Sequence, residues 1–463
     1  MYDQNFSNFL KESLIQIDNK NIRSGLISIC SEIPFIQSFS NYGNLLMQYS
    51  FAAIWEEKKN ISFMALDKCK YIILDGPKRF EMAKDFHDEN FKSLINIDLN
   101  PHPSSLGKII YFFSYSDNFN RQENSKDVPN MEAVLPKFLV ISNNQKSWIR
   151  MNTQFNNKTT LRAILEEFWF IRAEIMSIKV KQEQNHINIP ISKFHSAFRE
   201  SEKNLINNIS KGIQLIDSGL VEKIVLSSRI KIKCESKFNL NKILKQLINN
   251  NQNSCIYLWK RNDKDITFGA SPEKLFSLKN NQLTLEAIAG TSDSSQNDSF
   301  LLGNSKNIRE HEIVVYFLIN CLKDLNIYKF EKSDLKVKCF GNISHLQTIL
   351  NASVKKLNPF ELIRTLHPSP AVCGIPKTIA NEWIETLENF SRGNYASPIG
   401  WIDMGGNADF RVAIRGARYI NEEIQLTAGA GLVKDSICLN EFEEIKLKFE
   451  SIAKNIFLSN VFQ

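Results

Sequence analysis

A few ionisable side chains sit in surroundings that would change their chemistry. Lys223 opens the apolar run EKIVLSSRI at 222–230. A lysine among apolar neighbours loses hydration, which disfavours its ammonium and moves it toward the range of a general base. The competing reading is a lysine at the start of an edge strand, pointing to water. Glu273 lies in FGASPEKL at 268–275. Strand, small residues and proline would make a turn that presents this carboxylate to a cleft, although Ser-Pro-Glu also begins ordinary helices. Glu310 lies in KNIREHEIVV, and Glu441 and Glu444 lie in EFEEIKLK, three apart and so on one helical face. Carboxylates from two helices meeting over a substrate oxyanion would suit Mg²⁺, which takes oxygen ligands and is often held by one or two carboxylates plus the ligand. A solvated acidic face competes with that reading for each of these glutamates.

The elements that must position these residues are legible in the periodicity. Phe194, Phe198, Leu205, Ile209 and Ile213 recur at helical spacing, predicting a helix over 194–220 that Gly219 stops. Residues 221–234 read as a strand rich in β-branched residues, and 255–260 with 265–269 as a strand pair. A helix is expected over 308–322 and a closing helix over 439–456. Segments 410–420 and 424–433 flank Asn421-Glu422-Glu423 and read as a β-hairpin. Residues 1–178 mix short apolar runs (71–74, 138–141) with polar loops such as 114–126, and carry no catalytic signature. The polar stretch 179–193, with Pro190, reads as a connector. Antiparallel pairs with helices outside them argue an α+β fold, and no phosphate-binding glycine loop is present.

Composition bounds the function. With 43% hydrophobic and 23% charged residues in 463, the chain is neither disordered nor a coiled coil. A net charge of +7 fits an anionic substrate but is too thin for a nucleic-acid binder. The eight cysteines are scattered without a C-x-x-C pair, which predicts free thiols in a reducing cytoplasm. The acidic, amphipathic N-terminus does not read as a signal peptide, and the longest apolar stretch, 313–322, is too short to span a membrane. The expectation is a cytoplasmic protein that binds neither nucleic acid nor membrane.

Taken in order, the segments of 193–458 resemble the chorismate-utilising enzymes, and among them the isochorismate synthases. The resemblance rests on KIVLSS (223–228), FGASPEKL, the AGT of EAIAGT (289–291), REHEIVV (309–315) and HLQT (345–348). It continues through LHPSPAVCGIPK (366–377), RGNYASPIGW (392–401), FRVAIRGARY (410–419), LTAGAGLVKDS (426–436) and EFEEIKLK. It implies an α+β fold of the anthranilate synthase type, a large curved antiparallel β-sandwich with helices on its outer faces. Residues 1–190 would be a divergent N-terminal part completing that fold, and 193–458 the chorismate-binding catalytic region.

The resemblance also implies roles. Lys223 matches the base that activates water, and Glu273 the acid that protonates the departing C4 hydroxyl. Glu310 and Glu444 match Mg²⁺ ligands, with Glu441 a supporting carboxylate. His345 matches a pocket histidine near the ring. Gly290 and Thr291 match the loop beneath the ring carboxylate. Tyr395, Arg415, Gly429 and Lys448 match groups that hold the enolpyruvyl carboxylate and nearby oxygens. The chain departs from the pattern at Ser228, Ala287, Asn307, Cys373 and Ser397, which touches substrate positioning more than reaction class. Relatives that use ammonia lack the base lysine, and many aminodeoxychorismate synthases carry a lysine where Ala289 stands here. Both features favour water as the nucleophile and no glutaminase partner. Salicylate synthases share Lys223 and Glu273, so they are the nearest alternative. Thr348 and Ala371 lean toward release of isochorismate. A non-catalytic chorismate-binding subunit would not need the intact acid–base pair.

Overall fold

The structure, a computed structural model, describes residues 4–20, 24–58, 60–117, 128–155, 161–178, 191–234 and 239–456. Residues 118–126 of the expected polar loop and 179–190 of the expected connector lie outside the described residues. Among those described, the strands join into one 20-stranded sheet. Its pairings are antiparallel except where Gly25–Ile33 runs parallel to Leu94–Asp98.

Alternation along the strands divides this sheet into an inner and an outer face. In Ala52–Glu56, Ala53 and Trp55 point into a cluster with Ile110, Phe112, Trp148, Trp259 and Trp401, built from strands and their flanking loops. Their neighbours Ala52 and Ile54, with Tyr111 and Phe113, enter a second core shared with helix residues such as Phe168, Leu205, Val314 and Phe442. A sheet folded on itself with helices outside satisfies both faces, and this is the α+β arrangement the sequence implied. Residues of the first half are built into the same sheet as the second. Ala52–Glu56 pairs with Cys255–Asn262, and Lys108–Phe113 pairs with Pro398–Asp403.

The expected helix over 194–220 is Ile191–Asp217, and Gly219 follows it with φ +75°. It lies close over the sheet at Gly212, where a Cβ would stand 2.5 Å from Leu432 and 2.8 Å from Leu226. Its Phe198 packs on Phe442 and Phe449 of the closing helix Cys438–Ala453.

Two expectations are corrected. Segment 410–420 is not one strand but two, Ala408–Val412 and Gly416–Ile420. The chain changes partners between them, from Lys274–Lys279 to Asp265–Ser271, and Arg415 turns the corner with φ +54°. The hairpin after it closes on two residues, Asn421 and Glu422, both at positive φ, with Ile420 opposite Glu423. Lys223 is also not on an open edge, although the strand Lys223–Lys233 is one beyond its first residues. Glu423–Val433 flanks it along its length, and Gly374–Ile375 pairs with its first residues on the other side. Among the described residues, no helix is long and apolar enough to cross a membrane.

Candidate active site

Lys223 is flanked by strands on both sides, its side chain cannot reach water, and it is 0% exposed. Its ammonium lies 3.1 Å from Oε1 of Glu310, on helix Ser305–Asp324. Burial lowers the Lys223 pKa, and the Glu310 charge opposes that. For Glu310, burial pushes upward, but Lys223 and Lys306 overcome it and keep the carboxyl ionised well below its usual range. Gly431 makes this contact possible. A Cβ there would stand 2.3 Å from Glu310 Oε1 and 2.9 Å from Lys223 Cε.

Glu273 sits not on a helix but in the bend between strands Asp265–Ser271 and Lys274–Lys279. The Val412 amide donates to its carbonyl, and the Ser271 hydroxyl donates to Val412 O at 2.6 Å, which fixes the bend against the neighbouring strand. Burial raises the Glu273 carboxyl to about 7, against the pull of Lys223, Lys448 and Arg415. It is therefore a carboxyl that can hold a proton at neutral pH.

Glu273 lines a cavity of about 680 Å³, counting its open mouth, together with Gly290, Thr291, Glu310, His345, Tyr395, Arg415, Gly429 and Lys448. Arg415 donates through Nη2 to His345 Nε2 at 2.9 Å. A guanidinium cannot accept, so Nε2 is the unprotonated nitrogen, and Nδ1–H donates to Gly290 O at 2.9 Å. Burial and the Arg415 charge hold His345 neutral, down at about 3. Among the described residues, no carboxylate lies within ion-pair distance of Arg415, and burial lowers its pKa to about 10. A half-buried guanidinium without an anion is costly, and an incoming carboxylate would relieve that cost. Tyr395 precedes Ala396, which sits at φ +59°. Lys448 donates to Gly429 O at 2.8 Å and to Glu444 Oε1 at 2.7 Å.

The structure brings Glu310, Glu441 and Glu444 together, and Lys306 stands among them. Its ammonium is 2.9 Å from Glu441 Oε1, 3.4 Å from Glu310 Oε2 and 3.8 Å from Glu444 Oε2. Among the described residues, no set of three His, Cys, Asp or Glu side chains is spaced as a ready metal cage. The donor chemistry nevertheless fits a hard cation, since it is all carboxylate. One oxygen, Glu441 Oε2, is buried without a hydrogen-bond partner. Burial raises Glu441 to about 7, against the pull of Lys306 and with the neighbouring Glu444 and Glu310 adding to the rise.

Three features escaped the sequence reading. Lys306 opens KNIREHEIVV with nothing in the sequence to single it out. Gly431 was one glycine among several in LTAGAGLVKDS. The third is the buried pair Arg392–Glu388, at 2.6 Å. Arg392 donates to Val372 O and Val225 O, and Glu388 accepts from the amide and hydroxyl of Ser227. Val225 and Val372 both line the cavity, so this pair clamps two of its walls. A buried Arg and Glu four residues apart was the available signal. Thr348 does not face the cavity. It is buried behind it, with Oγ1 2.8 Å from His311 Nε2, so it carries no information about the substrate's side arm. Ala371 does line the cavity.

The family model described as chorismate binding enzyme matches residues 9–457. Isochorismate synthase MenF of Bacillus subtilis is 27% identical over 361 residues, covering 75% of this chain and 74% of that one. Isochorismate synthase MenF of Haemophilus influenzae is 29% identical over 328 residues, covering 68% and 73%. The solved structure of the menaquinone-specific isochorismate synthase of Escherichia coli superposes with a TM-score of 0.74 at 19% identity, covering 96% of this chain and all of that one. Anthranilate synthase component I of Streptococcus pneumoniae shares the fold at a TM-score of 0.69.

Proposed function

The chain belongs to the chorismate-binding enzymes, and from that premise we propose that it is an isochorismate synthase. It adds water at C2 of chorismate while the C4 hydroxyl departs, reversibly. The observation that carries this reading is the pairing, on one cavity, of a carboxyl that holds its proton near pH 7, Glu273, with a guanidinium lacking an anion, Arg415.

Chorismate brings two carboxylates. Arg415 grips one with its planar fork, and the neutral His345 holds that fork in place. Lys223, in its neutral form, takes a proton from water, whose oxygen bonds to C2. The ring double bonds shift, the C4–O bond breaks, and Glu273 gives its proton to the leaving hydroxyl. One water enters and one leaves, so the net change is an isomerisation. Base and acid each commonly contribute about 10²–10⁴-fold.

Mg²⁺ completes the reading, with Glu310 and Glu444 as ligands and Glu441 in support. Held there, the ion would supply positive charge against a substrate carboxylate, and Glu310 would be shared between it and Lys223, easing the proton off Lys223. Water is the nucleophile in this proposal because Lys223 is sequestered beside the cavity rather than solvated on an edge. A reducing, cytoplasmic setting is part of the same proposal, since all eight cysteines are free.

The test is a lactate-dehydrogenase-coupled assay with chorismate and Mg²⁺. Chorismate should be consumed to an equilibrium with little pyruvate. Pyruvate released in step with chorismate loss, with fluorescent salicylate accumulating, would replace this reading with salicylate synthesis.

A further inference from the structure

We infer that Lys306 is a built-in stand-in for the divalent cation, and that Mg²⁺ enters by displacing its ammonium from the three carboxylates. The inference rests on the Mg²⁺ reading above and concerns a residue that reading does not use. Three observations carry it.

The first is the sharing of one ammonium. Glu310 also pairs with Lys223, and Glu444 with Lys448. Glu441 has Lys306 and the Ser436 hydroxyl on one oxygen, while the other, Oε2, is buried and unpartnered. A single point charge on three carboxylates satisfies one contact well and leaves two long. The second is position. Lys306 lies in the first turn of helix Ser305–Asp324, where the helix dipole disfavours a cation. The carboxylate cluster is what holds it there. The third is charge balance. Lys223, Lys306 and Lys448 already match the three glutamates one for one. A dication added on top would leave a buried excess of positive charge, which is strongly disfavoured. Withdrawal of Lys306 halves that excess, and its side chain, at 15% exposure, has a flexible stem with a route to solvent. Lys306 is thus a positioning residue. It keeps the carboxylates gathered before the metal arrives and sets how tightly the metal binds.

The test is Mg²⁺ binding to the full chain by isothermal titration calorimetry, without chorismate, for the wild type and Lys306→Gln. Loss of a competing cation at contact distance should tighten Mg²⁺ binding by about tenfold or more. In EDTA the variant should melt below the wild type, and Mg²⁺ should raise its melting temperature by more. Equal or weaker Mg²⁺ binding in Lys306→Gln would overturn the inference and make Lys306 a fixed support of the ligands.

A second measurement needs no variant. Acylation of Lys306 by an amine-reactive ester, read by mass spectrometry, should rise when Mg²⁺ is added to the wild type, because the displaced ammonium reaches solvent. Unchanged or reduced labelling would overturn the inference. Failure of the underlying reading looks different, because chorismate would then be consumed at full rate in EDTA, or Mg²⁺ would bind neither protein. Mg²⁺-dependent turnover with equal affinities would refute the Lys306 proposal alone.

Discussion

Glu273→Gln should make the protein more stable at alkaline pH while destroying its activity. The Glu273 carboxyl is 8% exposed, and burial lifts it from 4.5 to about 7. Below pH 4.5 both folded and unfolded chains hold the proton, so the site contributes no pH dependence. Between 4.5 and 7 the unfolded chain has lost the proton while the folded chain keeps it. Stability therefore falls as pH rises through that window and levels off above it. At 1.36 kcal/mol per pH unit, the site costs about 3 kcal/mol by pH 8. Glutamine has nearly the same shape and never ionises, so it removes this cost. Urea denaturation of the two proteins at pH 4.5 and pH 8, with EDTA and no chorismate, isolates the effect. The stability difference should shift by about 3 kcal/mol toward the variant between those pH values. A difference independent of pH would show that Glu273 is solvated and is not the proton-holding acid. The same variant should lose about 10²–10⁴-fold in kcat, and its residual pH–rate profile should lack the ionisation near 7.

Lys223→Met should lower kcat by about 10²–10⁴-fold, measured by chorismate consumption, with KM little changed. It should also lower stability, seen as an earlier urea midpoint, because Glu310 loses its partner at 3.1 Å. Arg415→Lys keeps the charge but not the two-pronged fork, so KM for chorismate should rise about tenfold while the fold persists. Gly431→Ala puts a methyl group 2.3 Å from Glu310 Oε1. It should cost about 1–3 kcal/mol in denaturation and depress turnover by separating Glu310 from Lys223. Chelation by EDTA should abolish chorismate turnover, and added Mg²⁺ should restore it.

The sequence disclosed the elements best where periodicity was long. The helix at Ile191–Asp217 and the closing helix Cys438–Ala453 follow directly from apolar spacing. Its site residues were legible through the ordered segments that resemble the family, since each lysine or glutamate alone also fitted a solvated surface, and the fold brings Glu273, Glu310, His345 and Arg415 to one cavity. The sequence could not disclose that Lys223 is interior. That depends on Gly374–Ile375 closing over the strand from 150 residues away, a pairing that no local pattern encodes. The break at Arg415 was hidden for a similar reason. FRVAIRGARY alternates like one strand, but the sheet folds over there and the chain must change partners at a positive φ. Lys306 was invisible because its polar neighbours gave no hint that two acidic residues would arrive from the closing helix.

The most direct test is product identification by proton NMR after incubating the protein with chorismate and Mg²⁺ at neutral pH. Isochorismate should appear in a stable mixture with chorismate, and the same mixture should form when the reaction starts from isochorismate. An amino-substituted product formed only with ammonia, or chorismate left unchanged, would contradict it.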